Sequence, residues 1–427
     1  MIGTSDDRDG GQPDPKFRIT LAGLDLQGPP ASTDWEHAVS LIRVVSASSG
    51  RVERNTLKGG STVFAAGPWT ISGNTHKGTL PKTFSEGVFA GRYTHDLVLV
   101  GNKAVPEGPS GKAWRFLVLT QRGIGDLIKD NVVGGGVGPR EDDPRQHENS
   151  PEVMLTEAYR LRFEGKPAAI SADGRVLVIP KPQGGGPNTG DAVAILSGPQ
   201  AGQWRTLVQP VGPNAYLLDE PIARETDAVS IATGFVRETF EGNTVDCRGS
   251  GLAADLVLAG NQFGVKVVRN RFIGGGAAIR LLATPTEEPV HWGWSHAPFL
   301  GALFEGNVVE DTPGGGLGVE HGLGIKSNKG RAYMSIALKD NTFRWTKATG
   351  PGGKPPRLWL GFPPSLDPGD LLIDEQGTKV EGAPAEAAWV HAATINGKVV
   401  QESPLKGTGA GTVGARGGRA ARPTRRD

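Results

Sequence analysis

The chain has 427 residues, 64 of them glycine and 32 proline, with 37% hydrophobic and 6% aromatic residues. Glycine costs about 1 kcal/mol per helical site relative to alanine, so this composition excludes a helical bundle. The 46 basic and 45 acidic residues leave a formal charge of +1, with no strong field to recruit nucleic acid or a membrane surface. No run approaches the roughly 18 consecutive apolar residues of a membrane span. The single Cys247 excludes an intrachain disulfide and a cysteine-based zinc site.

Residues 1–16 are polar and rich in Gly and Pro, with neither the basic n-region nor the apolar h-region of a secretory signal. They read as a disordered segment. Strand-like runs begin at Phe17 with FRITLAGLDLQG, and a first block of repeats spans 17–159. Its mark is an Asn motif, with copies at Asn55, Asn74, Asn102 and Asn131 that follow β-rich runs such as HDLVLVGN and GDLIKDN. Residues 160–235 lack the motif. Alternating runs there, with the hairpin pair Asp173-Gly174, predict a small antiparallel β-subdomain inserted between repeats. The run GPQAGQWR (198–205) reads as a structural corner.

The motif returns at Asn243, Asn261, Asn270, Asn307 and Asn341 in a second block, 236–345. Beyond it, 346–405 holds a Pro-rich linker and the hairpin pair Asn396-Gly397, predicted to cap the end of the stack. Residues 406–427 form a Gly/Ala/Arg-rich tail that reads as disordered and solvated.

Asn at a turn tolerates the left-handed region and bonds its own backbone. Stacked Asn side chains bond one another along a ladder, and the residue two places later returns to the core. This pattern resembles the right-handed parallel β-helix of the pectin-lyase-like superfamily, over about 17–131 and 235–345. The resemblance implies an all-β fold, a right-handed parallel β-helix (solenoid) with an inserted small antiparallel β-subdomain. It also implies a polysaccharide or oligosaccharide bound in a groove along one sheet.

Functional side chains are densest in 280–321. His291, Trp292, Trp294 and His296 lie within six positions, after Glu287 and Glu288 and before Asp311, Glu320 and His321. Trp faces stack on sugar rings while polar neighbours bind hydroxyls. Glu320, His321, His296 and Asp311 are the candidate catalytic residues; Trp292, Trp294, His291, Arg280 and Lys326 are the candidate substrate-binding residues. The two histidines and tryptophans are expected to line one concave surface with Glu320 and His321. A packing loop with satisfied histidines is the rival.

A second cluster is His147, Glu148, Glu152 and Glu157. Glycosidic cleavage needs a carboxyl pair, but these acids also suit the first turn of a short helix starting at Ser150-Pro151. A third candidate is Arg92, Tyr93, His95 and Asp96, expected at a corner of the stack. No HxH or HExxH supports zinc.

Members of the superfamily include lyases, often with calcium, and hydrolases using carboxylate pairs. Glu320-His321-Gly322 and Ile325-Lys326 echo the last two pieces of the polygalacturonase signature; the other pieces and the pectate-lyase signatures are absent. Two readings stand. One is a glycoside hydrolase or polysaccharide lyase, with Ca2+ expected only for a lyase; the other is a non-catalytic glycan-binding or surface scaffold protein. Either is expected as a monomer or small homo-oligomer without a nucleic-acid partner. The absent N-terminal cap and export signal predict a natural start further upstream, with an extracellular or periplasmic location. The rival is an intracellular protein whose open end is covered by its own C-terminal segment or by a second subunit.

Overall fold

The computed structural model describes residues 14–28, 40–44, 47–58, 61–77, 88–105, 115–134, 152–158, 160–182, 186–248, 254–274, 277–282, 298–312, 316–320, 334–347, 360–361, 371–382, 393–395 and 398–400. These residues are all-β, with stacked parallel strands in long sheets. None of their elements is a helix long and apolar enough to cross a membrane.

One repeat shows the plan. Leu117–Ile124, Leu127–Lys129 and Val132–Gly134 follow one another around the core. The first two join a 23-stranded sheet and the third a 10-stranded sheet. Each strand pairs in parallel with its counterparts in the repeats before and after: Thr70, Val98, Leu127, Thr239 and Lys266 form one register column. Side chains alternate between the two faces of a strand. One column of Val52, Ile71, Leu99, Ile128, Phe240, Val267, Phe304 and Leu338 is therefore buried throughout. Each such side chain contributes about 1.5–3 kcal/mol of burial.

The corner between the two short strands carries the asparagines. Asn55, Asn74, Asn102, Asn131, Asn243, Asn270, Asn307 and Asn341 are all buried and bonded in one unbroken ladder. An Asn amide has two N–H donors and an oxygen with two lone pairs, and the ladder uses all four. In Asn102, Nδ2 donates to Ile71 O at 2.9 Å and to Asn131 Oδ1 at 3.0 Å. Its Oδ1 accepts the backbone N–H of Asn74 at 3.0 Å and Asn74 Nδ2 at 2.9 Å.

The left-handed residue of this corner is the one before the Asn, not the Asn itself. Gly73, Gly101, Gly242 and Gly306 take it, and so do Arg54 (φ 54), Asp130 (φ 52), Arg269 (φ 53) and Asp340 (φ 52). Asn261, grouped with the others by its motif, is not a ladder member. Its Nδ2 donates to Thr233 O at 2.9 Å and its carbonyl accepts Phe235 N–H at 3.0 Å. It braces the point where the chain re-enters the stack.

Strands between Arg160 and Thr233 form a seven-stranded antiparallel sheet. Its own core includes Phe163, Leu177, Val193, Ile195, Leu207 and Ile231. Asp173-Gly174 turns between Ala169–Ile170 and Val176–Val178, with Gly174 at φ 73. Parallel pairing resumes with Phe235–Val236 against Gly123 and Ile124.

The turn before Trp204 anchors this sheet on the stack. The Trp204 ring lies 5.9 Å from the Phe263 ring and carries the Arg237 guanidinium over its face at 5.4 Å. It fills space that a Cβ on Gly264 or Gly301 would occupy, at 2.5 and 2.6 Å. Ser335 Oγ donates to Gly202 O and accepts Gly301 N–H, tying the turn to two repeats at once.

The parallel stack continues past Trp345, where the cap was expected to begin. Leu371–Gln376 pairs with Met334–Lys339, and Lys379–Glu381 with Thr342–Arg344, both in parallel. Ala393–Ile395 and Lys398–Val400 then form an antiparallel pair, the first of them joined to Leu372 and Ile373. The turn pair Asn396-Gly397 itself lies outside the described residues.

Candidate functional site

Three separate sequence clusters reach one face of the long sheet. Ala65, Arg92, Thr120, Glu157, Ala259, Leu282 and Glu320 occupy one register column across seven adjacent strands. Val63, Ala90, Val118, Leu155, Val257, Arg280 and Gly318 form the next column on the same face, two residues earlier in each strand. The alternate positions, such as Leu119, Leu258 and Leu281, belong to the main core. Arg92, Glu157, Arg280 and Glu320 therefore sit at positions of the outer face.

The floor of that face is closed to solvent. Val118, Leu155, Val257 and Ala259 cluster together at no more than 7% exposure. Arg280 is half-buried, and both it and Glu157 are already engaged by neighbouring groups. Glu157 and Glu320 stand three strand spacings apart, about 14 Å at the usual 4.8 Å per strand. A carboxyl pair working on one glycosidic bond needs about 5–9.5 Å. The two backbone positions lie farther apart than that range.

Two segments leave the sheet side by side. Leu282 and Glu320 are paired, as are Phe299 and Met334. Segments 283–297 and 321–333 thus depart and return at neighbouring positions. His291, Trp292, Trp294, His296, His321 and Lys326 lie in them, outside the described residues. Their convergence with Glu320 is consequently an expectation on which only the roots bear.

Asp311 sits at the end of Val308–Glu310 in the left-handed region (φ 54). Its carboxylate accepts Thr346 N–H at 2.8 Å and the Thr346 hydroxyl at 2.6 Å. Buried and doubly bonded, it braces the next repeat.

Glu152 starts the strand Glu152–Ala158, which corrects the helix-cap expectation: its strand pairs with those on both sides. Its carboxylate meets Arg115 at 2.6 Å. His147 and Glu148 lie outside the described residues. Tyr93 and Asp96 both have positive φ, at a corner as expected, and His95 Nδ1 lies 3.1 Å from Asp96 Oδ2.

Buried acids were missed. Asp126 and Glu238 occupy the column five residues before the ladder, where other repeats place Trp69, Leu97, Val265, Ala302 and Ile336. The signal was available in the motif spacing: an acid at the fifth position before Asn131 and Asn243. Burial pushes Asp126 up to about 7, against the lowering effects of the Thr94 hydroxyl and the Leu97 amide. Burial, reinforced by the Asp126 charge, raises Glu238 well above the carboxylate range. Burial likewise raises Asp255, beside Cys247, and Asp191, which Arg162 partly compensates at 3.5 Å.

Among the described residues no group of three or more His, Cys, Asp or Glu side chains could hold a metal ion. No protein-family model matches the chain, and no curated protein shows significant sequence similarity to it.

Proposed function

We propose that the chain is a right-handed parallel β-helix of the pectin-lyase-like kind, and that it takes a polysaccharide or oligosaccharide along the outer face of its long sheet. The observation that carries this reading is the shared face of Arg92, Glu157, Arg280 and Glu320, beside the roots of the two segments that hold the Trp/His cluster. Two cations and two acids spread over one face of parallel strands suit the hydroxyls, and any carboxylates, of an extended glycan. In this reading Trp292 and Trp294, which lie outside the described residues, are the aromatic groups for sugar rings to stack on.

Cleavage assigns the work to Glu320, His321 and His296 in this reading, with Trp292, Trp294, His291, Arg280 and Lys326 holding the substrate. Calcium belongs to the lyase form of this reading; among the described residues no group of three or more His, Cys, Asp or Glu side chains could hold it.

The roughly 14 Å between Glu157 and Glu320 favours the second reading, a non-catalytic glycan-binding protein. A glycan array, a reducing-end assay and ultraviolet detection of unsaturated products, run on the purified chain, separate the outcomes. New reducing ends without unsaturation indicate a hydrolase, unsaturated ends a lyase, and binding alone a scaffold. Loss of all signal in Glu320→Gln and Arg280→Ala, with thermal stability retained, is the expected result. Failure to bind any glycan overturns the reading.

A further inference from the structure

Asp126 and Glu238 are both fully buried. They are consecutive members of one column, since Thr239 N–H donates to Asp126 O exactly as Leu127 N–H donates to Leu97 O. The flanking members are Leu97 and Val265, both buried and apolar. Asp126 Oδ1 accepts Leu97 N–H at 2.9 Å, and its Oδ2 accepts the Thr94 hydroxyl. Neither Glu238 oxygen receives a bond from a donor group. The polar groups it faces are the amide and carboxyl of Asp126.

We infer that Asp126 and Glu238 hold a proton between them and so form a pH-sensitive link joining the repeat before the inserted sheet to the repeat that follows it. Two buried carboxylates stacked in adjacent repeats ionise together only at high cost without a counter-charge, and among the described residues neither is paired with a Lys or Arg. The ionisable groups near Asp126 are His95, which favours its ionised form, and Asp96, which opposes it, and they engage each other at the surface. Arg237, next to Glu238 in the chain, is turned to solvent, where it pairs with Asp219 at 2.8 Å. Gly123 and Phe235 close the remaining side: a Cβ on Gly123 would meet both Phe235 and Glu238 Oε1 within 2.6 Å. Among the described residues no third His, Cys, Asp or Glu joins the pair to hold a metal, and a proton converts two repelling acceptors into a donor–acceptor pair.

The link has a definite sign. Both groups titrate higher in the folded chain than in the unfolded one, so the folded state holds the extra protons. Their contribution is complete below the ordinary carboxylate range. It is lost as pH rises through about 7 for Asp126, and Glu238, whose carboxyl is also raised by burial, adds to the loss as it ionises. Each retained proton shifts the unfolding equilibrium about tenfold per pH unit over that window.

The test is urea unfolding of the full chain at a series of pH values from mildly acidic to mildly alkaline. The chain is compared with Asp126→Asn, Glu238→Gln and the double variant. The natural chain is expected to lose stability by about tenfold in the unfolding constant per unit and per proton. The double variant should have a flatter profile and surpass the natural chain on the alkaline side. Infrared spectra at neutral pH give an independent reading: a protonated-carboxyl carbonyl band in the natural chain that Glu238→Gln weakens. This band remains decisive if a variant folds poorly. Parallel pH profiles, or no such band, overturn the inference. So does stabilisation by added Ca2+ that the double variant loses, which would make the pair a metal site.

Discussion

The two stacked corners of each repeat solve the same problem with different chemistry. Both run along the stack, both are buried, and both follow a residue with positive φ in several repeats. At one corner eight asparagines form a neutral ladder in which each side-chain amide is bonded to the next and to neighbouring backbone. At the other the column is apolar except for Asp126 and Glu238, whose satisfaction depends on a proton. An amide is donor and acceptor at once, so it can repeat indefinitely. A carboxylate only accepts, so it can be stacked just in pairs and only while one partner is protonated.

The central ladder is where the contrast can be broken most severely. Asn131→Ala strands the backbone N–H and one side-chain N–H of Asn102 and removes a bond to Leu99 O inside the core, while Asn243 Oδ1 keeps only the backbone N–H of residue 131. At about 1–3 kcal/mol per orphaned group, a loss of about 4 kcal/mol is expected in urea unfolding. A loss below about 1 kcal/mol would mean that the ladder is ornamental.

The second corner has its own geometric demand. Gly264 (φ +64) and Gly301 (φ +69) precede Val265 and Ala302, and Trp204 occupies the space of their missing side chains. Alanine at either position combines left-handed strain with displacement of the indole, for about 3 kcal/mol. Tryptophan fluorescence should shift to the red as Trp204 becomes wetter; an unchanged spectrum would show that the anchor is dispensable.

At the ladder's N-terminal end the effect shrinks. Asn55 accepts from Leu24 N–H, and Leu24 is 40% exposed, so water can replace that bond. Asn55→Ala is expected to cost about 1–2 kcal/mol in the same unfolding assay. Equality with Asn131→Ala would contradict the graded ladder.

The smallest change tests the left-handed position itself. Arg269 holds φ 53 where other repeats use Gly, and its guanidinium meets Glu241 at the surface. Glycine relieves the strain but loses an exposed ion pair and gains chain entropy in the unfolded state. Arg269→Gly should therefore fall within about 1 kcal/mol of the natural chain.

Much of this architecture was legible because it is local. An Asn followed two residues later by Leu57, Val133, Val245 or Phe272 announces a corner and a core position without reference to the rest of the chain. The alternation of 160–235 and the Asp173-Gly174 turn likewise announce antiparallel strands. Yet the same short motif misplaced Asn261, because membership in a ladder is a matter of register between repeats. Glu152, read as a helix cap, became a strand residue because its strand pairs on both sides in the sheet, Glu152 itself with Ala254.

The sequence by itself determined which segments are strands, where the corners fall and which side chain of each repeat turns inward. These follow from φ/ψ preferences and a period of two, and they need only a few consecutive residues. Only the tertiary structure decided which residues meet across repeats: Arg92, Glu157, Arg280 and Glu320 on one face, Trp204 on Gly264 and Gly301, Asp126 on Glu238. Such partners are dozens of residues apart, across an inserted sheet in the last case. Their spacing in the chain varies with every loop, whereas the distance between stacked strands does not.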